Sequence, residues 1–274
     1  MSLRFAYNTN GAANHRLDDA LDLIADAGYD GVALTLDIHH LDPFASSWAQ
    51  EAERVRGRLY GLNLGSVIET GARFLLDPRA KHEPTLVTAD AAGRARRVAF
   101  LHRAIDIAAI LGSEAVSFWA GVPKPGIDPA EARGWLRDGL DQVVAYAAER
   151  RVVAALEPEP GMLVETLDDY AALDVPGLNL ALDTGHCLVT QEREPAAALH
   201  EFADRLGTVA IEDMARGTHI HLPFGEGDMD VPGVLDALEA IRFDKLVCVE
   251  LSRESHRADR MIPDSLRYLR ECRR

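Results

Sequence analysis

Short apolar runs alternate with helix-like stretches along the whole of this 274-residue chain, and no other feature constrains its fold as strongly. Eight runs read as strands: residues 3–8, 31–36, 62–68, 115–119, 152–157, 178–183, 207–212 and 245–250. Runs such as VVAALE and KLVCVE are almost continuously apolar, as strands buried on both faces of a parallel sheet are. Between them lie helix signals. Leu17, Leu21, Ile24 and Ala25 mark one apolar face that Gly28 ends as a C-terminal cap, and Pro129 follows Asp128 as a first helical residue after an N-cap. Asp230 precedes VPGVLDALEAI in the same manner. Eight strand-and-helix units predict an α/β fold, a (β/α)8 barrel, as a single domain over residues 1–274. An open doubly wound sheet fits less well, because no GxGxxG turn follows the first strand and polar strand ends come from all along the chain.

The longest interval between strands is the third, and residues 69–98 within it predict a loop on the C-terminal face of the barrel. Its apolar residues, Phe74, Leu75, Leu76, Leu86 and Val87, predict an ordered cover over whatever that face holds. Lysine and arginine number 29 against 44 aspartate and glutamate, a net charge of -15 that disfavours nucleic acid as a partner. The basic clusters Arg94, Arg96, Arg97 and Arg150, Arg151 lie in helix-like stretches and read as solvated faces. Cys187, Cys248 and Cys272 form no CxxC pair, which fits packing roles in a reducing compartment. No stretch reads as a signal peptide or membrane span, so the expected location is cytoplasmic, with no membrane partner. A homo-oligomer stays open.

Several of the C-terminal strands run straight into acidic residues. Glu157, Asp183 and Glu250 end the fifth, sixth and eighth, so in a parallel barrel they share one rim. Carboxylates gathered on one rim repel unless a cation joins them, and His186, His219 and His221 supply nitrogen donors nearby. In an extended THIH segment His219 and His221 face the same side. The predicted site is therefore a divalent metal centre.

The LEPE, LDTGH and VELS segments, with the ED segment followed by HIH and GEG, resemble the xylose isomerase-like TIM barrel superfamily over essentially the whole chain. That group of sugar phosphate isomerases and epimerases also contains endonuclease IV. The resemblance implies Glu157, Asp183 and Glu250 as metal ligands. Where the family's strand-seven histidine stands, this chain has Ala210, which cannot bind a metal. His221 or His219 then takes over, or the site is remodelled. His186 resembles the DxxH histidine that binds substrate oxygen in the epimerases.

The implied chemistry is proton transfer at the carbon beside a carbonyl, with Glu157 and Glu250 as bases and His186 assisting. The substrate is a small carbohydrate: a sugar, sugar phosphate or inosose. Mn²⁺ and Mg²⁺ suit the oxygen-rich donor set, and recruitment of the histidines shifts the preference to Zn²⁺. His40, Glu69, Arg73, Lys81, His82 and Trp119 are the expected substrate-binding residues, the three basic ones of the loop for a phosphate or carboxylate. A lyase eliminating across the same carbon would use the same groups. A nuclease like endonuclease IV is disfavoured by charge and by Ala210, and Ala210 also leaves room for a barrel that has lost catalysis.

Overall fold

A computed structural model describes residues 2–273. Its strands close into one parallel barrel in chain order. The elements are β1 (Arg4–Asn8), α1 (Leu17–Ala27), β2 (Gly31–Thr35), α2 (Trp48–Leu62), β3 (Gly65–Glu69), α3 (Ala91–Leu111), β4 (Val116–Trp119) and α4 (Pro129–Arg150). There follow β5 (Ala154–Glu157), α5 (Leu167–Ala171), β6 (Asn179–Asp183), α6 (Thr184–Thr190), α7 (Pro195–Glu201), β7 (Leu206–Ile211), α8 (Val231–Ala240), β8 (Leu246–Val249) and α9 (Ala258–Cys272). Among the described residues, no helix is long and apolar enough to cross a membrane.

The period of two in each strand divides the side chains between two environments. Val32 and Leu34, Leu180 and Leu182, Val209 and Ile211, and Val247 and Val249 point outward into the main core beneath the helices. Their neighbours point inward. Ala6, Ala33, Val67, Ala115, Leu246 and Cys248 fill the barrel bottom with small side chains. Further along the strands on the same inward face, Thr35, Glu69, Trp119, Glu157, Asp183 and Glu250 arrive at the C-terminal mouth. The register enforces this: Thr35 pairs with Glu69, Trp119 with Glu157 and Asp183 with Ala210. Between β6 and β7 the register slips, because Leu180 pairs with Leu206 and Ala181 with Thr208, leaving Gly207 unpaired. A Cβ there would approach that of Ala155 to 2.8 Å, so only glycine fits the bulge.

Three expectations are corrected. Strand three begins at Gly65 and not at Leu62, because Asn63 turns to φ 56 and caps α2 with its backbone N–H. The long loop ends at Asp90, whose side chain accepts from the N–H groups of Ala92 and Gly93 and starts α3 within the span expected to be loop. Arg97 is no solvated residue: it is 0% exposed, under the ring of Trp119 at 4.3 Å. In the loop, Leu76, Leu86 and Val87 are buried as expected of a cover, whereas Phe74 is 55% exposed.

Candidate active site

The mouth opens onto a cavity of about 510 Å³ lined by residues at the ends of β2 to β5 and in the segments that follow β1, β3 and β5 to β8. Of the expected site residues, Glu69, Arg73, Lys81, His82, Trp119, Glu157, His186, His219, His221 and Glu250 all border it. Below lies a hollow of about 30 Å³ bordered by Glu157, Asp183 and Glu250 together. His40 is the exception. It is buried in the loop after β2, with Nε2 3.3 Å from the carbonyl of His15, and does not border the cavity.

Asp183 caps α6, its Oδ1 accepting from the N–H of Gly185 at 2.7 Å and of His186 at 3.3 Å. That hold fixes the carboxyl and turns Oδ2 inward. Burial alone would raise its pKa, but His186, a contact with Glu212 and the N–H donors hold it below the usual carboxylate range. Nδ1 of His186 lies 3.0 Å from the carbonyl of Pro158, which can only accept, so this nitrogen carries a proton. Nε2 then faces the mouth, 3.3 Å from Asp183 Oδ2 and 3.2 Å from His219 Nε2. Burial works against a charge on His186, yet the Asp183 and Glu159 carboxylates hold its pKa above the ordinary value. His219 and His221, 5.7 Å apart between ring centres, are both pushed down by burial.

The remaining carboxyls move the other way. Burial pushes Glu157 well above the usual range, and Glu159, Glu250 and Asp183 add to the push. Glu250, whose Oε1 accepts from Asn10 Nδ2 at 2.9 Å, is raised by burial and by Asp183. Glu69 is raised from 4.5 to about 7 by burial and by Glu250, although the N–H of Gly71 donates to it at 2.5 Å. A carboxyl raised in the fold contributes most below its unfolded pKa, and its stability is lost as pH rises through the folded value. For Glu69 that window runs from 4.5 to about 7. Asp183, shifted downward, is already ionised throughout it. Glu157, Glu159, Glu212 and Glu250, raised likewise, act in the same sense as Glu69, and the lowered His219 and His221 act against it. With the carboxyls in the majority, denaturant melts in EDTA are expected to show lower stability at pH 7.5 than at pH 5, with Mn²⁺ reducing the difference.

Sequence reasoning missed Glu159, Glu212 and Arg253. Glu159 stands two residues after Glu157 in the LEPE segment, where an extended chain returns it to the same side. Arg253 follows β8 and borders the mouth. Glu212 is the glutamate of the ED segment and is 0% exposed. Its neighbour Asp213 has a separate structural role, accepting from the N–H of Gly225 at 2.8 Å and of Met229 at 2.9 Å to hold the GEG loop.

The donors fit a divalent ion. Oxygen or nitrogen atoms of Asp183, Glu212 and His221 lie within 4.8 Å of one another, as do those of Glu157, Glu159 and His186, and of His186, His219 and His221. Asp183 Oδ2, both Glu212 oxygens and His221 Nδ1 are buried without a hydrogen-bond partner. Unpaired buried oxygens and nitrogens facing one another are what an ion would satisfy.

The family model described as xylose isomerase-like TIM barrel matches residues 21–272. A sequence comparison with curated proteins gives no match. Among solved structures, a D-allulose 3-epimerase from Methylomonas sp. is similar at 20% identity and a TM-score of 0.75, over 98% of both chains. A 3-keto-D-glucoside 4-epimerase from E. coli gives 18% and 0.78 over 99% of this chain and 100% of its own. The probable 3-DHS dehydratase from Bacillus anthracis gives 13% and 0.76 over 98% and 99%.

Proposed function

Because the chain belongs to the xylose isomerase-like TIM barrel family, we propose that it is a divalent-metal-dependent isomerase or epimerase acting at the carbon beside a carbonyl in a small sugar, sugar phosphate or inosose. The observation that carries this reading is the pair Glu157 and Glu250, both raised by burial and by neighbouring carboxylates on the rim that Asp183 shares. Carboxyls that repel in this way resist ionising together, which favours one holding a proton while the other is free. One is then a base and the other an acid, as moving a proton from one face of a carbon to the other requires. A divalent ion held by Asp183 with Glu157, Glu250, His219 or His221 would polarise the substrate carbonyl and acidify the adjacent C–H.

The chain's own groups shape the rest. His186 presents Nε2 to the cavity as a partner for a substrate oxygen. Trp119, held from behind by Arg97 and met edge-on by His82 at 5.4 Å, offers a rigid surface for a sugar face. Arg73, Lys81 and Arg253 border the mouth, and none has a carboxylate within 4.0 Å among the described residues. Free cations at the mouth of a chain with a net charge of -15 fit an acidic group on the substrate, a phosphate or carboxylate. The named sugar epimerases of the same fold support this reaction class. The charge opposes a nuclease.

Deuterium wash-in tests the proposal. Incubated in D₂O with ketoses, inososes and their phosphates, the Mn²⁺-loaded protein is expected to place deuterium on the carbon beside the carbonyl of at least one compound. Wash-in with release of water would identify an eliminating enzyme using the same groups. No exchange across the panel would reject the reading.

A further inference from the structure

Asp183 pairs across the β6–β7 ladder with Ala210, a methyl group at the inward position nearest its carboxylate. The next inward position on strand seven is Glu212, just past the pairing of Ile211 with Val249. Its carboxyl turns back toward Asp183. It lies so close to α6 that a Cβ on Gly185 would collide with Oε1, so the glycine makes room for it. Glu212 is 0% exposed and neither oxygen has a hydrogen-bond partner; Asp183 Oδ2 and His221 Nδ1 are equally unpartnered. Burying one unpaired carboxylate costs several kcal/mol, and placing a second against it adds repulsion. His186 Nε2, 3.3 Å from Asp183 Oδ2, can offset the charge of that one oxygen but leaves the Glu212 carboxyl unmatched, so either a proton is shared between the two carboxyls or a cation sits among them. A shared proton would satisfy the oxygens and leave His221 Nδ1 idle. One ligand atom from each of Asp183, Glu212 and His221 lies within 4.8 Å of the others, so a single cation can serve all three residues, and two carboxylates with one imidazole is a donor set that Mn²⁺ and Zn²⁺ both accept.

We propose that Asp183, Glu212 and His221 bind a divalent cation, with Glu212 supplying from strand seven the ligand that Ala210 cannot. This rests on the metal-dependent reading above and changes its ligand set: Glu157 and Glu250 are left free for proton transfer. The substitution at position 210 is then compensated within the same strand, two residues on.

Isothermal titration of the full chain with Mn²⁺ and with Zn²⁺ tests the assignment. Glu212→Gln is expected to weaken binding of both at least about 100-fold, with circular dichroism unchanged. The amide keeps the size of the carboxyl and can donate to Asp183, so a Glu212 that merely shares a proton there would tolerate it. Affinity within about twofold of wild type overturns the assignment while the metal-dependent reading stands; a wild-type chain that binds neither ion ends both. Ala210→His added to Glu212→Gln is expected to recover at least about 10-fold, since an imidazole at 210 faces the same Asp183. Should Glu212→Gln fail to fold, anomalous diffraction from Zn²⁺-soaked wild-type crystals decides. A peak within about 2.2 Å of a Glu212 oxygen supports the assignment, and a peak on Glu157 and Glu250 without Glu212 overturns it.

Discussion

Glu157→Gln and Glu250→Gln are each expected to lower deuterium wash-in by about 10²- to 10⁴-fold, the usual contribution of a positioned acid or base. The amide occupies nearly the same volume and can still accept a hydrogen bond, but it cannot take a proton. Burial raises both carboxyls, with Glu159 and Glu250 adding to the rise of Glu157 and Asp183 to that of Glu250. Removing one charge relaxes that repulsion, so the surviving carboxyl should ionise at lower pH. Wash-in measured against pH would show this as a displaced limb in the residual activity. A purely structural role for either residue would leave the profile in place.

Asp183→Ala is expected to abolish binding of Mn²⁺ and Zn²⁺ and, with it, wash-in. Asp183 is at once the rim residue held ionised among carboxyls that are raised, a partner of Glu212, and the N-cap of α6 through Gly185 and His186. Losing the cap costs about 1 kcal/mol. Removing one of several buried, mutually repelling carboxyls offsets part of that cost. The variant should therefore melt within a few degrees of the cation-free wild type while calorimetry records no binding.

The barrel was legible because its causes are local and repeated. Apolar runs such as TVAI and KLVCVE mark strands, Asp128 with Pro129 and Gly28 mark helix ends, and the alternation leaves one topology. Asn63 was misread because a left-handed cap continues an apolar run in sequence: Leu62, Asn63 and Leu64 look like strand until the φ of Asn63 is known. At the site, Glu157, Asp183 and Glu250 were visible as carboxylates at strand ends. Glu212 was hidden for a reason that lies in the register. Attention falls on the strand-seven position opposite Asp183, which holds alanine, and only the closed barrel shows the buried Glu212, two residues on, within reach of Asp183. Arg97 was equally hidden, since a helix with apolar residues on several sides gives no sign of which arginine lies under Trp119. His40 shows the opposite error. A histidine after a strand looks like a rim residue, yet its nitrogen is taken up by the carbonyl of His15.

A rim of carboxylates and imidazoles built around a divalent ion must retain that ion. The most direct measurement is the metal content of the wild-type chain, stripped with EDTA, reloaded separately with Mn²⁺ and with Zn²⁺, dialysed, and analysed by mass spectrometry of the elements against protein concentration. At least one ion per chain that survives dialysis, and that Asp183→Ala fails to retain, is the predicted result; a wild-type chain that retains neither metal contradicts the account.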